Sequence, residues 1–126
     1  MFLSYKLHIC VILSLYEYYC CLLFLSIAIV TEVIGTIYLR DTEGFTRLTP
    51  SVITAVSYAA SFYFISLTLK QIPVAVTYAI WSGVGLVLIN IFAAIKYGQM
   101  PNSITTLGMA FIILGVVLVN FNTGVD

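Results

Sequence analysis

Charge is the scarcest property of this sequence. Of its 126 residues only 8% are Asp, Glu, Lys or Arg, the five basic residues balance the five acidic ones, and 62% are hydrophobic. The chain has no basic run that could hold the phosphate backbone of a nucleic acid, which excludes nucleic acid as a partner. A mean hydropathy of +1.12 is too high for a water-soluble domain of this length. The composition therefore indicates an integral membrane protein.

Groups for catalysis or metal binding are equally sparse. The three cysteines, Cys10, Cys20 and Cys21, form an odd set with an adjacent pair, which is a poor disulfide framework and lacks the spacing of metal ligands. The single histidine, His8, is expected to lie at the membrane interface rather than to bind a ligand. Paired carboxylates, a nucleophile with its base and a phosphate-binding glycine loop are all missing. We therefore expect neither an enzyme nor a cofactor or metal site.

Charged residues and prolines divide the chain into apolar segments. About 20 apolar residues are enough to cross the hydrocarbon core as a helix. The charge-dense loop 40–49 follows the first span, Pro50 opens the second and Lys70 closes it, and a polar turn at 96–102 precedes the last. The sequence predicts an all-α, four-helix transmembrane bundle, with helices at about residues 22–39, 51–69, 74–95 and 103–121.

The first span carries a carboxylate, Glu32, in the middle of an apolar run. A charge at bilayer depth costs from about 2.5 kcal/mol upwards, so such residues are rare and usually face an interior or a water-filled cavity. Small neighbours at helical spacing, including Ala28 and Gly35, leave room beside the carboxylate. We therefore predict that Glu32 is the functional residue, although a carboxylate that only bonds helices together is the structural alternative.

Aromatic residues on the second and third spans are candidates for the wall of a cavity. Tyr78 and Trp81 lie one turn apart on one helix face, followed at once by Gly83 and Gly85, where close backbone contact is expected. A desolvated cation over an aromatic ring gains about 2 kcal/mol. A carboxylate beside such rings favours a lipophilic cation as ligand.

Residues 1–21 do not fit the helical pattern of the rest. This apolar segment is interrupted by Lys6 and Glu17, and its end, Tyr18 to Cys21, lacks the small residues of a signal-peptide cleavage site. We interpret residues 1–21 as an atypical extension, with a start-site artefact as one hypothesis. Residues 22–122 form the expected bundle.

Four helices enclose little space, so oligomerisation is expected. Gly108 and Gly115 are seven residues apart on one face of the fourth span, and small residues let membrane helices approach closely. The loops on one side of the membrane carry three basic residues and those on the other side carry two, which is only a weak preference for one orientation of the chain. This balance favours a dimer of oppositely oriented copies.

Residues from about 22 to 120 resemble the small multidrug resistance family of four-helix, proton-coupled exporters of the bacterial inner membrane. The segments that carry the resemblance are TEVIGT (31–36), EGFTRL (43–48), PSV (50–52) and YAIWSGVG (78–85). The wording EVIGT followed by WSG resembles the branch that exports quaternary ammonium compounds. The extension at 1–21 has no counterpart in the family pattern, and Tyr63 stands where relatives often have tryptophan.

The resemblance implies roles for individual residues. Glu32 would be the site shared by protons and substrate, Tyr58, Tyr78 and Trp81 would line the cavity, and we add Ala28 and Tyr63 to that lining. Gly108 and Gly115 would form the dimer contact of the fourth helix. The implied partners are lipophilic cations, protons, membrane lipid and a second copy, with a pair of two different chains left open.

Two other functions stay open at this point. The first is a guanidinium or polyamine exporter of the same family, whose pattern typically has a tryptophan shortly after the glutamate and WTG later. The second is a membrane scaffold or regulatory subunit that transports nothing. Tolerance of sensitive bacteria to quaternary ammonium dyes separates both from the multidrug hypothesis.

Overall fold

The computed structural model describes residues 2–122, and it describes side chains for residues 13, 15–119 and 121. It contains four helices: α1 (Phe2–Asp41), α2 (Leu48–Thr68), α3 (Val74–Tyr97) and α4 (Ser103–Asn122). The predicted all-α, four-helix architecture is confirmed. The segment Leu15–Asp41 and all of α2 and α3 are long and apolar enough to cross a membrane, and the apolar part of α4 described in the structure, Ser103–Val119, is shorter.

The first helix starts well before the predicted boundary at residue 22. α1 is continuous from Phe2 to Asp41, so it includes most of the segment interpreted as an extension. Cys20 and Cys21 are free thiols near the middle of this helix. The side chains of His8 and Cys10 lie outside the described residues. The interpretation of 1–21 as an extension stays a prediction.

Local sequence explains where the other helices begin and end. Gly98 adopts a left-handed φ of 65° after α3, and its N–H donates to the Ala94 carbonyl at 3.0 Å, which is a common helix ending at glycine. The Asn102 side chain caps α4 by accepting the N–H of Thr105 at 2.8 Å. Between α1 and α2, buried Thr42 accepts the N–H of Phe45 at 3.2 Å and so stabilises the tight loop.

α1 and α2 pack closely along most of α2, and hydroxyl groups of α2 donate to carbonyl oxygens of α1. The hydroxyls belong to three fully buried residues of α2. Ser61 donates to the carbonyl of Ala28 at 2.8 Å, Thr54 to that of Gly35 at 3.2 Å and Thr68 to that of Cys21 at 3.5 Å. Since lipid supplies no hydrophobic drive between helices, such bonds and small residues stabilise this interface.

α3 also packs against α1, and α4 packs chiefly against α3. The contact between α1 and α3 is a small apolar core of Leu25, Ile29 and Val33 on α1, covered by Ile80, Trp81, Leu88 and Ile89 of α3, together with Ile37 of α1. α4 contributes no fully buried residue among its described side chains. α1 is thus the central helix, between α2 and α3, and α4 is the most exposed.

Candidate functional site

A cavity of about 290 Å³ lies between the C-terminal part of α1 and the N-terminal and central part of α3. Its only charged side chain is Glu32, and Thr36 lies beside Glu32 on α1. The residues of α3 that line the cavity are Tyr78, Trp81, Ser82, Gly85, Leu86 and Ile89. The structure therefore brings together a carboxylate and two aromatic rings that are about 50 residues apart in the sequence.

Helical spacing explains this lining. On α3 the contributing residues recur at steps of three or four, which places them on one face. Gly85 lies on that face, and a Cβ added there would be 3.7 Å from Oε2 of Glu32. A methyl group would already touch the carboxylate, and any longer side chain would compete with it for space. Glycine at position 85 therefore leaves room for the acidic group.

Glu32 is half-buried and receives one hydrogen bond. The Thr36 hydroxyl donates to Oε1 at 2.8 Å, and the hydroxyls of Thr36 and Tyr58 lie 3.0 Å apart. Neither of the ion pairs seen among residues 13–121, Glu43 with Arg47 and Asp41 with Lys96, involves Glu32. The carboxylate thus has no cationic partner in the described part of the protomer.

The two aromatic rings pack against each other at an angle. Their centroids are 5.4 Å apart with an interplanar angle of 66°, an edge-to-face arrangement that aromatic pairs favour. Tyr78 is 63% exposed, while Trp81 is half-buried and packs against the apolar core between α1 and α3. The indole Nε1 of Trp81 is buried, and none of the described groups accepts its proton. The exposed tyrosine face is available to a ligand.

Three of the predicted cavity residues lie elsewhere in the protomer. Ala28 is fully buried between α1 and α2, where its carbonyl accepts the Ser61 hydroxyl. Tyr63 is exposed on α2 and packs edge-on against Phe64 at 5.5 Å. Tyr58 packs on Gly35 and reaches the site only through its hydroxyl contact with Thr36. Their predicted role as cavity lining stays a prediction.

The four glycines predicted to pack helices divide into two groups. Gly83 faces α4, where an added Cβ would lie 2.9 Å from Cγ2 of Val116, and Gly85 faces Glu32. At Gly108 and Gly115 on α4 nothing lies within 4 Å of an added Cβ. The first pair therefore packs inside the protomer, and the second pair lies on an open surface.

The sequence places Thr36 on the same helix face as Glu32 without assigning it to the lining, and Ser82, Leu86 and Ile89 were not among the predicted site residues. Thr36 is four residues after Glu32, and Ser82 is four residues after Tyr78, so each follows from the same helical rule that grouped the others. Steps of three or four residues along α3 from Tyr78 lead through Ser82 and Leu86 to Ile89.

The described residues hold no cluster of three or more His, Cys, Asp or Glu side chains that could bind a metal ion. The only charge lining the cavity is the carboxylate of Glu32. This arrangement offers a ligand one negative charge, three hydroxyls and two aromatic faces in otherwise apolar surroundings. Such a site suits an organic cation better than a metal ion, which needs several oxygen or nitrogen ligands.

Comparison with known proteins gives consistent results. The family model described as Small Multidrug Resistance protein matches residues 20–114. The quaternary ammonium compound-resistance protein QacE of Escherichia coli is 50% identical over 98 residues, which cover 78% of this chain and 89% of that protein.

Two further relatives extend the comparison. QacG of Staphylococcus sp. (strain ST94), also named as a quaternary ammonium compound-resistance protein, is 46% identical over 98 residues, 78% of this chain and 92% of its own length. A putative ethidium bromide resistance protein of Pseudomonas aeruginosa is 49% identical over 96 residues, 76% of this chain and 84% of its own length. Each match covers more than three quarters of both proteins.

Proposed function

The chain belongs to the small multidrug resistance family, and from this premise we propose that it exports lipophilic quaternary ammonium cations across the bacterial inner membrane in exchange for protons. Its family and its apolar helices make it a multi-pass membrane transporter for drug efflux and not an enzyme. The names of the relatives support organic cations, including quaternary ammonium compounds and ethidium, as the substrate class.

The observation that carries the proposal is the uncompensated carboxylate of Glu32 beside Tyr78 and Trp81. No Lys or Arg of the described chain pairs with it, so a bound cation would supply the missing charge. Aromatic faces attract the same cation through their negative quadrupole, by about 2 kcal/mol when water is excluded. A lipophilic cation also gains from the apolar side chains that form the rest of the lining.

Protons and the drug would compete for the same group. A carboxylate can bind either a proton or a cation, so we propose that Glu32 takes up a proton when the drug leaves. With the proton bound, the site loses its charge and its attraction for a cation. If only the protonated or drug-loaded bundle reorients readily, inward flow of protons drives outward flow of drug.

A dimer is part of the proposal. α4 packs chiefly against α3 in the protomer, and its two glycines at 108 and 115 have open space where a second copy can approach. Two oppositely oriented copies fit the weak charge bias of the loops and would place two Glu32 carboxylates in one cavity. The two carboxylates would then lose their protons in coupled steps, and the observed pKa values would describe the pair rather than either residue. A heterodimer with a different member of the family would also bring two such carboxylates into one cavity.

The guanidinium alternative has less support. Small planar guanidinium ions are recognised by several hydrogen-bond acceptors. Apart from the carboxylate, the polar side chains that line the described cavity are the hydroxyls of Thr36, Tyr78 and Ser82 and the indole of Trp81. The cavity therefore suits a bulky cation with a dispersed charge. A scaffold without transport would not need an unpaired carboxylate at bilayer depth, which is costly.

The test replaces Glu32 with glutamine, which keeps the size of the side chain and removes its charge. We expect Glu32→Gln to abolish both proton release on binding of tetraphenylphosphonium and resistance of sensitive bacteria to ethidium. Glu43→Gln is the matched control, because Glu43 is an exposed loop carboxylate paired with Arg47 and should leave both unchanged. Proton-driven export that persists in Glu32→Gln would contradict the proposal, and resistance only to guanidinium would favour the alternative.

A further inference from the structure

Three oxygen-bearing groups form a chain of hydrogen bonds from α2 to the carboxylate. The Thr36 hydroxyl donates to Oε1 of Glu32 at 2.8 Å, and its oxygen lies 3.0 Å from the Tyr58 hydroxyl. A threonine hydroxyl has one proton, and this one is already given to the carboxylate. Tyr58 must therefore donate to Thr36 whenever Glu32 is ionised, and the chain runs in one direction, towards the negative charge.

The bond that Thr36 makes differs from those of other hydroxyl residues on the same helix. Ser26 donates to the carbonyl of Leu22 at 2.8 Å and Thr31 to that of Ile27 at 2.9 Å, each four residues back. This back-bonding is the ordinary arrangement for Ser and Thr inside a helix. The Thr36 hydroxyl is instead directed at the side chain of the residue four positions back, with Tyr58 as its second partner.

The two carboxylate oxygens of Glu32 therefore have different surroundings. Oε1 accepts the hydroxyl of Thr36, which in turn contacts Tyr58 of α2. Oε2 lies towards α3, 3.7 Å from where a Cβ on Gly85 would be, in the cavity that Tyr78 and Trp81 also line. One oxygen is thus engaged by the protein, and the other is on the side from which a ligand arrives.

We propose that Thr36, oriented by Tyr58, is a positioning residue that holds Oε1 of Glu32 and thereby reserves Oε2 for the proton or the substrate cation. This inference rests on the proposed function, since it assigns a task within the same site. A hydroxyl donor bonds more strongly to a charged acceptor than to a neutral one. Thr36 would therefore help to set the pH at which a substrate cation replaces the proton on Glu32.

Few other titratable groups act on this carboxylate. From α2 the only one is Tyr58, which acts through Thr36, and from α3 the only one lining the cavity is Tyr78. The nearest charged residues on the two helices lie at their C-terminal ends, where Asp41 pairs with Lys96 and Arg40 stacks over the Tyr97 ring. A change in the pH dependence of binding on removal of the Thr36 hydroxyl would therefore report directly on its bond to Glu32.

The experiment measures binding of tetraphenylphosphonium to the purified full-length protein across pH. Thr36→Val removes the hydroxyl at nearly constant volume, which makes protonation of Glu32 easier. We expect the midpoint of pH-dependent binding to move up by about one unit, with about tenfold weaker affinity below that midpoint, as for loss of one bond to a charged group. Thr36→Ser should keep the wild-type midpoint, and Tyr58→Phe should move it in the same direction by less.

Thr31→Val is the matched control, because Thr31 lies on the same helix but bonds only to backbone carbonyls. Its midpoint should equal that of the wild type, and an equal shift in both valine variants would overturn the positioning role. An unmoved midpoint in Thr36→Val, while wild-type binding depends on pH, would overturn it as well and leave the proposed function intact. Wild-type binding that is independent of pH would instead overturn the proposed function. If Thr36→Val does not fold, an unmoved midpoint in Tyr58→Phe overturns the positioning role.

Discussion

α3 and α4 approach closely at Gly83, and a single added methyl group tests this contact. A Cβ at this position would lie 2.9 Å from Cγ2 of Val116, about half an ångström inside the 3.4 Å at which ordinary contact begins. Overpacking of this kind costs about 1–3 kcal/mol. Alanine recovers about 1 kcal/mol because it is the better helix former. We therefore expect Gly83→Ala to destabilise the protomer by up to about 2 kcal/mol.

Two further variants separate the clash from the helix propensity. At protein concentrations too low for a dimer to form, Gly108→Ala has nothing within 4 Å of the new Cβ, so it should show only the favourable propensity. The difference between the two alanine variants then measures the clash itself. Shortening Val116 to alanine removes the atom that is struck, so Val116→Ala should cost less in the Gly83→Ala background than in the wild type.

Unfolding of the detergent-solubilised protein by sodium dodecyl sulfate provides the assay. Trp81 is the only tryptophan and lies on α3 two residues before Gly83, so its fluorescence follows the helix concerned. Equal stability of Gly83→Ala and Gly108→Ala would refute the close approach of α3 and α4. Independent, additive effects of the substitutions at positions 83 and 116 would refute it equally.

Three other predictions concern the dimer, the site and the α1–α3 contact. Gly115→Leu should lower the yield of cross-linked dimer without unfolding the protomer, and an unchanged yield would count against the α4 interface. Glu32→Asp should still bind tetraphenylphosphonium, with a pH dependence shifted to more acidic values because aspartic acid is the stronger acid; a shift towards basic values would contradict this. The Tyr97 hydroxyl lies 2.6 Å from the Ile37 carbonyl and 3.0 Å from the Asp41 carboxylate, so Tyr97→Phe should lower stability by about 1 kcal/mol in the same unfolding assay. No loss of stability would show that this contact contributes nothing.

The helices could be predicted because prolines and charges interrupt the apolar spans, but the ends shifted where side chains offered a specific bond. The sequence predicts that the third helix ends at about residue 95, before the polar turn at 96–102, yet α3 continues through Tyr97 because Lys96 pairs with Asp41 and Gly98 supplies the left-handed ending. A charged residue at the end of a membrane helix can stay helical when it has a partner. The sequence indicates the charge but not the partner.

The core of the site could also be predicted, from the cost of a buried charge and from helical spacing. Glu32, Tyr78 and Trp81 were proposed together and lie in one cavity. Spacing shows which residues share a face, but it does not show which neighbouring helix that face meets. Ala28 shares a face with Glu32 at four residues' distance, yet it lies against Ser61 of α2, because α1 is packed between α2 and α3.

The two contacts of α1 differ in a way that bears on transport. Towards α2, three hydroxyl-to-carbonyl bonds and the contact of Gly35 with Tyr58 fix one register, and any sliding would break several of these bonds at once. Towards α3, a short apolar core is followed by the cavity, and apolar contacts tolerate sliding because they have no fixed direction. The proposed exchange of drug for protons requires the cavity to face each side of the membrane in turn. We therefore expect α1 and α2 to move together as one body and the contact between α1 and α3, which contains Glu32, to change between the two states.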